Sequence, residues 1–487
     1  MKPWPSRREF LRRAAIVAAG IGASSLDCLP FGAWRIARAQ QPARIVIIGA
    51  GLSGLVAAHE LTKAGHDVIV LEAQLRPGGR VFTLREPFAD GLYAEAGAAR
   101  IPDTHDLTRR YAAEFGLTLV PFQPTLPRRV YVHGQRLGED DEDGIEAALG
   151  FSKGERQTGL DKLTKDLLAE SFPRLGDWQG PTWPDPSLRD IDAVTLTGYA
   201  RQRRASPVLV KRLDLGLGLI DECSMLFALR AFANELPIKR HDKIDGGNDR
   251  LPAAMASQLG ARIRYGSPVV RIEQDAQAVR AIVKRGGEFE TVRGDYLICA
   301  IPFTVLRTIE LSPAFAPPKR RAIEQLHYTE VSRVYLQSAA RYWEGQAQSG
   351  FAVTDHPMEI FDATLGQPGR RGILMLYAKG ALARQIQRMP ANERIRYGRV
   401  EVEHVYPGMA VNFDGGVSWC WSEAPWARGA FSLHAPGQLT AFYTIGARPE
   451  GRIYLAGEHL SPWPGWMQGA LASGLKAAND VASKIVS

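Results

Sequence analysis

Residues Ala43 to Gln74 read "ARIVIIGAGLSGLVAAHELTKAGHDVIVLEAQ". The β-branched run from Arg44 to Ile48 has the pattern of a strand buried on both faces. Gly49-Ala50-Gly51-Leu52-Ser53-Gly54 follows, then Leu55, Ala58 and Leu61 at helical spacing, then a second apolar strand from Val68 to Leu71. Glu72 closes that strand, about twenty residues beyond the glycines. Strand, glycine turn, helix, strand and acid in this order make a dinucleotide-binding unit. Gly49 permits the turn, Gly51 lets the backbone approach a pyrophosphate, and Gly54 lets the helix lie against the sheet. The helix start offers free N–H groups and positive partial charge to phosphates. Glu72 is placed to accept hydrogen bonds from ribose hydroxyls. The predicted fold is α/β, with a Rossmann-type nucleotide-binding domain.

At 487 residues the chain exceeds one ordinary core, so two or three sub-domains are expected. Hydrophobic residues at 45% and charged residues at 23% are the balance of a folded globular protein. The net charge of +8 is accompanied by no Lys/Arg block interleaved with aromatics, which argues against a nucleic-acid partner. "SRREFLRR" (Ser6 to Arg13), an apolar stretch to about Leu26 and "ARAQ" at Ala37 to Gln40 form a secretory leader. The apolar stretch falls short of the ~20 residues a membrane span needs. Arg7-Arg8 followed by Glu9-Phe10-Leu11 resembles a twin-arginine export signal; an ordinary secretory leader with a chance Arg pair is the alternative. The expectation is a signal over 1–39, cleavage after Ala39, and a folded protein delivered to the periplasm or the exterior by the twin-arginine machinery. Outside the leader, Cys223, Cys299 and Cys420 give neither a disulfide framework nor metal-ligand spacing. Buried free thiols are expected, with one bridge as the alternative, and no metal.

Further along come "RPGGR" at Arg76 to Arg80, "YAEAGAARIP" at Tyr93 to Pro102, "GGNDRLP" at Gly246 to Pro252, "CAIP" at Cys299 to Pro302, and "LAGEH" with "GWMQGALASG" near the end. The stretch from Leu107 to about Leu236 reads as charged and helical, with an acidic surface loop at Glu139 to Asp143. Nucleotide-type patterns lie at both ends and not in the middle, so the domains are discontinuous. The expected partition is FAD-binding segments 43–100, 241–301 and 446–487, a helical access region 101–240, and a mixed-sheet substrate domain 302–445. FAD enters by compartment: a diffusible pyridine nucleotide has no supply outside the cytoplasm, whereas a tightly held cofactor is loaded before export.

Together these motifs, in this order from about Ala43 to Ala482, resemble the flavin amine oxidase family, and within it the L-amino acid oxidases. The resemblance implies a cofactor-binding set of Gly49, Gly51, Ser53, Gly54, Glu72, Ala73, Gly79, Arg80, Gly97, Ala98, Ala99, Arg100, Val269, Gly457, Glu458, Gly465, Trp466 and Met467. It further implies that Val269 holds the adenine through its backbone, that Glu458 bonds the ribityl chain or pyrophosphate, and that Met467 approaches the flavin pyrimidine. Trp466 and Phe431 would wall the substrate against the flavin, with Trp463 near the entrance. Ala430 stands where monoamine oxidases carry the flavin-bonded cysteine, so FAD is expected to be non-covalent.

Arg100 resembles the arginine of L-amino acid oxidases that pairs with the substrate carboxylate, and Tyr377 the tyrosine that shares it. A planar guanidinium binds a carboxylate through two parallel hydrogen bonds, which a simple amine cannot use. Arg333 replaces the family lysine that orders a water near the flavin; arginine keeps the charge but cannot act as a base. His327 and His459 are candidates for handling protons. The expected reaction turns an L-amino acid, water and dioxygen into a 2-oxo acid, ammonia and hydrogen peroxide. Monoamine or polyamine oxidation, an amide-forming flavin monooxygenation, and a catalytically silent flavoprotein are the alternatives. A homodimer is one option for assembly.

Overall fold

The computed structural model describes Ile36, Ala39 and residues 41–486 apart from His356 and Pro357. The predicted leader, 1–39, lies outside the described residues apart from Ile36 and Ala39. A five-stranded sheet carries the order Ile263–Arg264, Asp67–Leu71, Arg44–Ile48, Tyr296–Cys299, Ile453–Leu455. Every pairing in it is parallel. Its two faces read out the β-period directly. Ile45, Ile47, Val68 and Val70 enter one core with Leu55, Leu471 and Leu475 of the covering helices. Val46, Ile48, Ile69 and Leu71 enter another, with Ile272, Val279 and Val283 of a four-stranded sheet. A strand covered on both sides has no polar face to show, hence the unbroken apolar run.

The helix Leu52–Lys63 follows the glycine turn and packs against the long C-terminal helix Met467–Val486. The approach is close enough to dictate small residues. A Cβ on Gly54 would lie 1.9 Å from the Gly49 carbonyl oxygen, and one on Gly474 would lie 2.1 Å from that of Ser53.

A second, seven-stranded sheet runs Phe413–Cys420, Val331–Ser338, Gly372–Lys379, Met358–Asp362, Ala352–Thr354, Arg129–Val132, Gln135–Gly138. Leu374, Leu376 and Ala378 face the helices Gly380–Gln387 and Ala391–Val405. The alternate positions Met375, Tyr377 and Lys379 face the interior cleft. The last two strands of this sheet form a hairpin inside the stretch expected to be helical. Around the hairpin that stretch is helical, from Glu142 to Glu235, with its own core. The acidic loop is more than solvated surface: the Asp141 carboxylate accepts the Gly144 N–H and starts the helix Glu142–Leu149. Cys223, Cys299 and Cys420 are free and buried.

Candidate active site

One cleft runs between the parallel sheet, the seven-stranded sheet and the helix Met225–Glu235. Every residue of the predicted cofactor and substrate sets lines it except Gly54, which lies on the sheet-facing side of its helix as a packing contact. At its nucleotide end the helix Leu52–Lys63 begins with no side-chain cap and no acid in its first turn. Its orphan N–H groups and positive end therefore face the cleft, and a Cβ on Gly51 would meet nothing within 4 Å. This donor set, open above a glycine, fits a pyrophosphate. Gly78 donates its N–H to the Ala50 carbonyl and holds the Gly-Gly-Arg turn against the first glycine turn.

Glu72 is buried and accepts N–H groups from Ala50 at 2.7 Å and Gln74 at 2.8 Å. Burial raises its carboxyl above the ordinary range, against the pull of those two donors. Val269 opens a strand at a bulge, with its neighbour Ser267 bonded to the Glu72 carbonyl. Glu458 lines the cleft and also makes protein contacts that the sequence reading did not include. Its carboxylate accepts from Arg80 Nη1 at 2.7 Å, Ser432 Oγ at 2.9 Å and Gly465 N at 2.8 Å. Burial would raise its pKa, but Arg80, His459 and these donors outweigh that and hold it below the ordinary value. Glu458 is thus the centre of a polar knot that fixes the Gly-Trp-Met turn.

The segment carrying Arg100 is set from behind. A Cβ on Gly97 would fall 1.8 Å from the Arg80 carbonyl oxygen, and Asn248 Nδ2 donates to the Ala98 carbonyl at 2.9 Å. Asn248 N also donates to Glu95 Oε1 at 2.8 Å, and Thr83 Oγ1 to Glu95 Oε2 at 2.9 Å. The GGND motif is therefore a scaffold for the Glu95–Arg100 strip. Burial pushes the Glu95 carboxyl up to about 7.

Arg100 lies with its guanidinium 5.4 Å from the Phe361 ring, and among the described residues no carboxylate is within ion-pair distance. Arg333 pairs across strands with Tyr377, its guanidinium 4.8 Å from that ring. Its Nη1 donates to the Glu95 carbonyl at 2.5 Å. Phe431 packs on Gly465, whose Cβ would touch the ring at 3.3 Å, and Trp466 follows next in the chain. His105 meets the Trp466 ring edge-on at 4.9 Å. Burial, and then Arg109, lowers His105 to about 3, so it is neutral throughout the physiological range.

Three expectations are corrected. Trp463 is a buried core aromatic against Trp178 and does not reach the cleft. His459 lies in the core against Phe303, lowered to about 4 by burial, outside the cleft lining. His327 sits 3.5 Å from Glu222 in a partly exposed ion network, also outside the lining. Residues not foreseen include Phe361, Lys379, Phe227, Asn234 and Glu235. Lys379 is paired with Glu359 at 3.2 Å. Alternation along 375, 377 and 379, and helical spacing along 227, 231, 234 and 235, are the signals that would have found them.

A solved structure of cyclohexylamine oxidase from Brevibacterium oxydans IH-35A superposes with a TM-score of 0.80 at 21% identity, over 92% of this chain and all of that one. Putrescine oxidase bound to putrescine gives a TM-score of 0.77 at 20% identity, over 91% and 99%. In sequence, a putative L-amino-acid oxidase, YobN, of Bacillus subtilis (strain 168) is 31% identical over 92% of this chain and 96% of that one. The L-amino-acid oxidase BmooLAAO-I of Bothrops moojeni is 30% identical over 91% and 90%. The family described as flavin containing amine oxidoreductase matches residues 52–482. With the glycine-turn cleft in place, the chain belongs to that flavin-dependent amine oxidoreductase family.

Proposed function

We propose that this protein is an FAD-dependent L-amino acid oxidase that converts amino acid, water and dioxygen into 2-oxo acid, ammonia and hydrogen peroxide. The observation that carries the reading is Arg100, a guanidinium in the wall of the cleft with no carboxylate paired to it among the described residues. A part-buried guanidinium in a cleft wall is open to an anionic partner, and the substrate's carboxylate supplies one. The names of the sequence relatives point the same way.

Bound FAD supplies a two-electron acceptor. The glycine turns, Glu72, Ser267 and Val269 would hold its nucleotide half, and Arg80, Gly457 and Met467 the remainder. Ala430 offers no thiol there, so acid precipitation is expected to release all of the flavin into the supernatant. Arg100 and the Tyr377 hydroxyl take the carboxylate, while Phe431 and Trp466 confine the substrate from the side of the Gly465 turn. Arg333 lies against the Tyr377 ring and is tied to the Glu95 carbonyl, so its guanidinium is held in position. Positioning and exclusion of water are the main contributions of the chain's own groups. Its leader supports the further proposal that the loaded, folded protein is exported to the periplasm through the twin-arginine route.

The test is Arg100→Ala in the flavin-loaded enzyme, assayed by peroxide and ammonia on amino acids beside their decarboxylated amines. Losing a bidentate, charge-assisted contact should cut kcat/KM for amino acids by about 100- to 1000-fold. Unchanged amino acid turnover, or faster oxidation of the amines by the native enzyme, sinks the assignment.

A further inference from the structure

The cations that line the cleft are Arg80, Arg100, Arg333 and Lys379. Two of them are matched inside the protein, Arg80 by Glu458 at 2.7 Å and Lys379 by Glu359 at 3.2 Å. Among the described residues, neither Arg100 nor Arg333 has a carboxylate within ion-pair distance. The α-carboxylate of an amino acid answers the first of these guanidinia. The second still lacks a counter-charge.

Arg333 is the more deeply placed of the two, with 7% of its surface exposed. The groups that hold it are neutral. Its Nη1 donates to the Glu95 carbonyl at 2.5 Å, and the Tyr335 hydroxyl donates to that same carbonyl at 2.7 Å. The Tyr377 ring lies 4.8 Å from the guanidinium, and Nε has no acceptor. The Glu95 carboxylate is engaged elsewhere, by Asn248 N and Thr83 Oγ1. The acids of the cleft lining, Glu72, Glu235 and Glu458, all come from outside the sheet that carries Arg333 and Tyr377. A guanidinium buried without a counter-charge is costly, and an arriving carboxylate removes that cost while matching the rigid fork of donors.

The two guanidinia stand at the same end of the cleft. Arg100 lies 5.4 Å from the Phe361 ring, Arg333 4.8 Å from the Tyr377 ring, and those two rings are neighbours at 6.3 Å. We infer that the preferred substrate is an amino acid with an acidic side chain, its α-carboxylate on Arg100 and its side-chain carboxylate on Arg333. The inference rests on the amino acid reading above and deepens it by naming the side-chain class. Arg333 is then a residue that sets specificity, and the cleft selects a molecule with two carboxylates.

The experiment compares kcat/KM for L-glutamate and L-aspartate with their amides, L-glutamine and L-asparagine, and with L-leucine, on the flavin-loaded enzyme. Acid and amide differ little in shape, so the ratio reports charge. At least one acid should exceed its amide by about tenfold or more, the worth of one charge-assisted hydrogen bond. A second measurement needs no turnover. Glutarate carries two carboxylates and no amine, and it should perturb the bound-flavin spectrum at about tenfold lower concentration than valerate, which carries one. Arg333→Met should bring both ratios toward one, and Arg333→Lys should restore part of each, with the bound-flavin spectrum reporting that the variants have folded. Native preference for the amides or for leucine overturns this inference and leaves the amino acid reading standing. Ratios unmoved by Arg333→Met overturn it as well. Turnover of 4-aminobutyrate, the amine left when glutamate loses its α-carboxylate, without turnover of any amino acid overturns the amino acid reading itself, and this extension with it.

Discussion

At the nucleotide end of the cleft, the surface is mostly backbone: glycine turns, an uncapped helix start and a strand edge. At the substrate end, side chains converge from the 98–100 strip, two sheet strands, the helix Met225–Glu235 and the Phe431–Trp466 corner. A backbone site needs close approach, which few residues permit, so its sequence is constrained over a short local stretch. A side-chain site needs only that distant segments meet, so its sequence is scattered. The first kind of site tolerates almost no substitution, whereas the second can be retuned one side chain at a time.

The sharpest break of this comparison is Gly54→Val against Gly51→Ala. At Gly54 the added atoms meet the Gly49 carbonyl and have nowhere to go. The helix must leave the sheet, a cost of about 4 kcal/mol or more, and the soluble yield should fall accordingly. At Gly51 a methyl group points into open cleft. The flavin-free protein should keep its thermal midpoint, within about 1 kcal/mol for a changed helix start, while its flavin content drops steeply. Equal damage from both would mean that the cleft above Gly51 is not where the pyrophosphate lies.

The same division explains what the sequence disclosed. The strands, the first helix and the glycine contacts follow from one run of thirty-two residues, Ala43 to Gln74, because each link is local. Arg100 and Tyr377 were found through motif resemblance, not through physics that the sequence displays. Helical spacing groups Asn234 and Glu235 with Phe227 and Ala231, but nothing in their neighbourhood says that this face meets the cleft. His459 misled for the converse reason: it adjoins the motif acid Glu458, but its ring turns into the core against Phe303. Trp463 did likewise, against Trp178.

Two buried acids carry the comparison into pH. Glu458 is held below the ordinary carboxylate value, so its stabilising contribution is present above about 4.5 and is lost as pH falls through its folded pKa. Glu95 behaves in the opposite sense, because burial raises it to about 7. Its contribution is full below the unfolded value near 4.5 and is lost as pH rises to 7 and beyond. At about 1.4 kcal/mol for each pH unit crossed, the loss is about 3 kcal/mol. Glu95→Gln keeps an oxygen for the Asn248 N–H and sets an NH2 donor against the Thr83 hydroxyl, which can turn to accept it; without the charge it should flatten the decline of thermal midpoint between pH 5 and pH 8. A decline equally steep in the variant would remove Glu95 as its source.

Tyr377→Phe should give the smallest effect, and it separates two roles for one residue. The ring lies under the Arg333 guanidinium at 4.8 Å and near Phe361, and both contacts survive loss of the hydroxyl. Arg333 should therefore stay in place, tied to the Glu95 carbonyl as before. On the proposed amino acid reading, what disappears is one hydrogen bond to the substrate carboxylate, worth about 1 kcal/mol, or a rise of about fivefold in KM. The carboxylate is equally charged in ground and transition states, so that bond contributes to uniform binding and kcat should hardly change. A large fall in kcat with KM unchanged would instead assign the hydroxyl to the chemical step, and would move the carboxylate's anchoring wholly to Arg100.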